Sequence, residues 1–244
     1  MITIANSEEE FDRLAALRAV EQITQKPTSV IALSTGRTTL NVHNQIVDWC
    51  KTHPIDISRV TFVGVDEVTG VDRDYSGACY AMLKSEIVDP LGIDDRHFLM
   101  LPTRSHDFNA DIAAFSRRLC DLGGIDLLFL GIGENGHLGF NQPGTPFGST
   151  IRLSNMDEQL EARIRRETAT PAGTPLGGIT LGLKDMMHAR RIVLLAKGDN
   201  KASIVSRAIA APVAESLPAT ILQLHTSCEY LLDSHAALIL MHNS

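Results

Sequence analysis

From Leu127 to Pro143 the chain reads LLFLGIGENGHLGFNQP, a short apolar run of strand type that empties into a turn carrying Gly131, Gly133, Gly136 and Gly139. That combination is how a parallel sheet builds a site. In open α/β sheets ligands sit beyond the carboxyl ends of the strands, and glycines there let backbone N–H groups approach a bound oxyanion. His137 stands in this turn between amide side chains, and it is the turn's one side chain that titrates near neutrality.

The rest of the chain fits that frame. Strand-type runs are predicted at Ser29–Leu33, Arg59–Val65, His97–Leu101, Asp126–Leu130, Arg191–Ala196 and Glu229–Leu232, alternating with amphipathic segments. This is the pattern of a three-layer, Rossmann-like α/β fold with a mostly parallel sheet covered by helices on both faces. Ser7-Glu8-Glu9-Glu10 reads as a capping box opening a helix to about Thr24, directly after Met1–Ile4. Phe108, Ile112, Phe115 and Leu119 mark one helical face. Thr168–Gly178, with Pro171, Gly173, Pro175 and paired glycines, reads as a loop. At 244 residues and 44% hydrophobic, with no repeat or linker, residues 1–244 are expected to form a single domain.

Charge and cysteine usage narrow the partners. Twenty-nine acidic against 22 basic residues give a net charge of -7, which argues against nucleic acid. An anionic ligand must then be held by a local cluster of cations and amides. Cys50, Cys79, Cys120 and Cys228 form no CxxC pair, so neither a zinc site nor a disulfide framework is suggested, and reduced thiols in a cytoplasmic protein are expected. No apolar run long enough for a bilayer exists, so no membrane partner is expected. Homo-oligomerisation is left open.

Three further strand tips carry polar groups. Ser34-Thr35-Gly36-Arg37-Thr38 can bind phosphate through amides, hydroxyls and the helix dipole, with Arg37 for charge-assisted contacts, although an ordinary capped helix start reads as well. Asp66 and Glu67 follow an apolar strand, where repulsion and partial burial can raise one carboxyl pKa toward the working range; a solvated pair is the plainer reading. Lys197 and Lys201 flank Gly198 at another helix start.

The order STGRTT, VDE, GIGENGHLGFNQP and AKGDNK resembles the glucosamine/galactosamine-6-phosphate deaminase–isomerase family, which shares its fold with the 6-phosphogluconolactonases. The likeness runs from about Val30 to the C-terminal strand, and GHLGFNQP is its most specific part. Gly178–Asp185, GITLGLKD, resembles the galactosamine-6-phosphate isomerase branch. The resemblance implies aldose–ketose isomerisation, with loss of ammonia in the deaminases, on an amino-sugar 6-phosphate, with no metal and no redox cofactor. It implies Asp66 as the base at the second sugar carbon, Glu67 as a support, and His137 as the ring-opening imidazole, with an unperturbed pKa of about 6.5. For the phosphate it implies Ser34, Thr35, Gly36 and Thr38, with Arg37 and Gly136 beside them and Arg152 and Lys201 supplying charge. Among Arg163, Arg165 and Arg166 the sequence does not single out a further ligand, and a solvated helical face explains the trio equally well.

Asn135 and Gln142 stand where the glucosamine branch carries acids, and Gln142 departs from the galactosamine pattern as well. Amides orient an imidazole without holding its charge as carboxylates do, so His137 is expected to be less basic than in members with both acids, and ring opening slower. Two other functions compete: a 6-phosphogluconolactonase, against which NQP and GITLGLKD argue, and a non-catalytic sugar-phosphate sensor, for which a DNA-reading segment would be expected where only one acidic helix precedes the first strand.

Overall fold

The computed structural model describes residues 1–156 and 158–242. In chain order the first half comprises β1 (Ile2–Ala5), α1 (Glu8–Gln25), β2 (Val30–Leu33), α2 (Arg37–Thr52), β3 (Thr61–Gly64) and β4 (Asp66–Thr69). There follow α3 (Cys79–Leu83), a π-helical turn (Lys84–Val88), α4 (Asp89–Leu91), β5 (Phe98–Leu99), α5 (Phe108–Asp121) and β6 (Leu127–Gly131). The remainder is β7 (Arg152–Ser154), α6 (Glu158–Thr168), β8 (Gly177–Thr180), α7 (Leu183–Met187), β9 (Arg191–Ala196), α8 (Asp199–Ala210), β10 (Cys228–Asp233) and α9 (Leu238–His242).

Seven strands form one parallel sheet in the order β1-β10-β9-β6-β2-β3-β5. Its central strands are apolar on both faces because helices cover both. On β6, Leu127 and Phe129 enter the core shared with α1 and α2, while Leu128 and Leu130 enter the core shared with α5 and α8. All four are buried. Truncating any of them to alanine is expected to cost about 2–5 kcal/mol.

The strand order also places the site. From β2 the chain moves to β3 and β5 on one side, and from β6 to β9 and β10 on the other. Adjacent strands whose outgoing connections diverge leave a crevice at their carboxyl ends. The Ser34–Gly36 turn and the His137 turn are its two lips, tied where Ser34 Oγ donates to Phe129 O at 3.0 Å.

Several local expectations change. β1 is an edge strand paired with β10, formed where the sequence reading ran directly into a helix; four residues there take their order from the neighbour rather than from their own pattern. Ser7 caps α1 by accepting from Glu10 N at 3.1 Å, but Glu10 reaches back to Asn6 N at 2.7 Å rather than to the cap's own amide. Asp66 and Glu67 open β4, which joins β8 and β7 in a small antiparallel sheet. Gly177 and Gly178 therefore belong to a strand, not to a loop ending at Gly178. Glycine is required at 178 because a Cβ would lie 2.4 Å from the Phe140 ring.

Candidate active site

A cavity of about 910 Å³ opens at the crevice between β2 and β6. Of the residues singled out from sequence, Ser34, Thr35, Gly36, Arg37 and Thr38 line it together with Asp66, Asn135, His137 and Lys201. Glu67, Gly136, Gln142 and Arg152 do not.

The Ser34–Thr38 side offers the groups of an anion cradle. Gly36 caps α2 with φ 132°, and a Cβ there would meet nothing within 4 Å, so the glycine serves the backbone turn and leaves the space in front of it open. The first amides of a helix have no acceptor within it and carry its positive end. Lys201, in the first turn of α8, donates to Ile132 O at 2.8 Å, and burial lowers its pKa against the opposing charge of Glu134. Of the three α6 arginines, Arg163 lines the cavity. Arg165 is folded onto Glu161 at 2.7 Å and onto the carbonyls of Pro171 and Thr174.

Asp66 sits at the start of β4 with part of its surface open to the cavity. Protein surrounds its carboxyl, and this burial pushes the pKa up to about 6, opposed by a hydrogen bond from the Cys79 thiol at 3.6 Å. Its Oδ2 faces Gly139, where a Cβ would lie at 3.2 Å. The acid and the turn carrying His137 thus border the same space. Glu67 points the other way and accepts from the N–H groups of Val68, Cys79 and Tyr80 at 2.7, 2.8 and 2.7 Å. Burial pushes it up to about 7 against those three donors. It clamps the start of α3 to β4.

His137 is oriented by an amide chain. Asn135 Oδ1 lies 3.1 Å from His137 N and 2.8 Å from His137 Nδ1. A backbone N–H only donates, so the amide oxygen faces the ring, Nδ1 carries a proton, and in the neutral ring Nε2 carries the lone pair. Asn135 Nδ2 in turn donates to Gln142 Oε1 at 3.0 Å. Gln142 Nε2 is buried and has no hydrogen-bond partner among the described residues. Gln142 therefore acts behind Asn135 rather than on a ligand. The ring packs on Gly133, where a Cβ would lie 2.3 Å from it.

Two phosphate candidates, Arg152 and Gly136, lie off the cavity lining. Arg152 donates to Asn141 Oδ1 at 2.8 Å and Thr145 Oγ1 at 3.3 Å, and Asn141 Nδ2 donates to the carbonyls of Leu138 and Leu181 at 2.8 and 2.9 Å. The arginine braces the His137 turn from β7. Gly136 has φ 86°, and its missing side chain makes room for Leu217. Sequence reasoning passed over Cys79 and Glu134, which line the cavity, and Asn141, which is fully buried. Glu134 and Asn141, both inside the GIGENGHLGFNQP stretch, carry a signal, and Cys79 carries none. Among the described residues no group of three or more His, Cys, Asp or Glu could hold a metal ion, and no helix is long and apolar enough to cross a membrane.

An anion cradle, a carboxyl of raised pKa and an oriented imidazole around one crevice define an acid–base site for a small anionic ligand. The chain belongs to the glucosamine-6-phosphate isomerases/6-phosphogluconolactonase family, whose model matches residues 6–230. It is 31% identical over 236 residues to a glucosamine-6-phosphate deaminase of Clostridium botulinum (strain Loch Maree / Type A3), covering 97% of each chain. It is 28% identical over 239 residues to that of Clostridium perfringens (strain SM101 / Type A), covering 98% and 99%. Among solved structures it is similar to a monomeric glucosamine-6-phosphate deaminase, with TM-score 0.90 and 27% identity over 98% of this chain and 99% of the other. A 6-phosphogluconolactonase of Trypanosoma brucei, at TM-score 0.79 and 20% identity over 98% of each chain, shares the fold.

Proposed function

We propose that this protein isomerises and deaminates an amino-sugar 6-phosphate, yielding the ketose 6-phosphate and ammonia. The observation that carries the reading is the shared cavity of Asp66, His137 and the α2 cradle. The phosphate sits on the backbone amides of Ser34–Thr38 and the Thr38 hydroxyl, the hydroxyls of Ser34 and Thr35 being already engaged, with Arg37, Arg163 and Lys201 as counter-charges. His137 Nε2 exchanges a proton with the ring oxygen as the sugar opens. Asp66 takes the proton from the second carbon and returns it to the first, while a proton passes from the amino nitrogen to the oxygen on the first carbon, which leaves an imine at the second carbon. Water hydrolyses that imine to the ketone and ammonia. A carboxyl near 6 is mostly ionised at pH 7 yet holds a proton long enough to return it.

Gly178–Asp185 favours galactosamine-6-phosphate as substrate, and the named relatives favour glucosamine-6-phosphate. Four separated free cysteines fit the reducing cytoplasm. Incubation with each sugar phosphate, following ammonia and ketose together, tests the function. Ammonia and ketose in equal amounts are expected, and lactone hydrolysis with neither product would overturn the reading.

A further inference from the structure

We propose that Cys79 is a positioning residue: its thiol grips Oδ1 of Asp66 and so assigns the proton transfer to Oδ2. The inference rests on the reading of Asp66 as the base.

Cys79 is the first residue of α3, and its place is set by β4 itself, because Glu67, the neighbour of Asp66, accepts from Cys79 N at 2.8 Å. From there the thiol reaches Asp66 Oδ1 at 3.6 Å, closing a ring of contacts that begins and ends on β4. The Thr35 hydroxyl donates to the same sulfur at 3.3 Å, so the sulfur proton is directed to the carboxylate. The chain Thr35 to Cys79 to Asp66 therefore joins the anion cradle to the base. On the other side, Oδ2 faces the gap left by the missing side chain of Gly139, toward the turn of His137.

The choice of sulfur matters chemically. Burial holds the thiol well above its ordinary pKa, so it remains a donor throughout the working range. A thiol is a weak donor: it fixes the carboxylate without stripping its basicity as a hydroxyl would. Besides Cys79 and Glu67, the charged groups about the cavity among the described residues are His137 and Glu134 of the turn, Glu158 and Arg163 of α6, and Lys201 of α8. Arg37 and Glu86 lie on the cradle side. None of these is altered by a change at position 79.

Cys79→Ala and Cys79→Ser test the proposal in the full chain, with thermal melts to verify folding. For Cys79→Ala, kcat at neutral pH should fall about three- to tenfold, the worth of one hydrogen bond, with KM within about twofold. The acid limb of kcat/KM should move up in Cys79→Ala and down in Cys79→Ser, which also recovers kcat. A merely structural role would move both variants alike. Infrared titration of the Asp66 carboxyl, isolated by subtracting Asp66→Asn, reads the same shifts without turnover. Opposite carboxyl shifts in a protein that turns over no amino sugar would sustain the contact and remove the functional reading. An unmoved carboxyl in both variants, or shifts of the same sign, would overturn the proposal.

Discussion

Asp66→Asn should abolish turnover and at the same time stabilise the fold above pH 6. Burial raises the carboxyl from an ordinary value of 3.8 to about 6, which at 1.36 kcal/mol per unit corresponds to about 3 kcal/mol. The folded pKa lies above the unfolded one, so the stability associated with the protonated group is complete below pH 3.8 and is lost as pH rises through 6. Part of the residue faces the cavity, and solvent screening reduces the expected effect to about 1–2 kcal/mol. Asparagine keeps an oxygen for the Cys79 thiol and removes the charge, so it escapes this loss. For a chain of this size that is a rise of several degrees in Tm at pH 8. Thermal unfolding of both proteins at pH 4 and pH 8 measures it: the variant should melt higher at pH 8 and within about a degree of the wild type at pH 4. A lower Tm at pH 8, or the same offset at both values, would refute the argument that a buried, destabilised carboxylate is held ready in the site.

Other outcomes follow from the same geometry. The acid limb of kcat/KM should fall near pH 6, about tenfold per unit below it, whereas a carboxyl at its ordinary value would leave the profile flat to pH 5. Glu67→Gln should lower stability at pH 5 by about 1–3 kcal/mol, measured by denaturant unfolding, because an amide cannot accept from all three N–H groups now bound to the carboxyl, and by less at pH 8, where removing the buried charge offsets the loss. Lys201→Ala should raise KM with kcat little changed, while Arg152→Ala should lower kcat and Tm together by loosening Asn141; steady-state kinetics separate the two. Gln142→Glu should place a negative charge behind Asn135 and speed turnover of the closed-ring sugar; an unchanged rate would show that the amide is not limiting.

The parts of the fold legible in the sequence are those whose own pattern decides them. β2, β6, β9 and β10 are apolar runs buried on both faces, and each was recognised within a residue or two. β1, β4, β7 and β8 are short, and β8 begins with two glycines, so pairing alone makes them strands. The site divides along the same line. Ser34–Thr38, Asp66 and His137 stand at strand ends where topology exposes them. The charge of Arg152 is legible in the sequence, whereas its partner Asn141 depends on how β7 packs against the His137 turn. Cys79 gave no signal, since its role comes from two contacts across 13 and 44 residues of chain.

The claim that one acid and one imidazole act on the same sugar phosphate is tested most directly at the second carbon. Amino-sugar 6-phosphate deuterated there, followed by NMR, should lose its label with the wild-type protein and keep it with Asp66→Asn, while that variant still binds the ligand. Loss of the label from Asp66→Asn at the wild-type rate would place the base elsewhere.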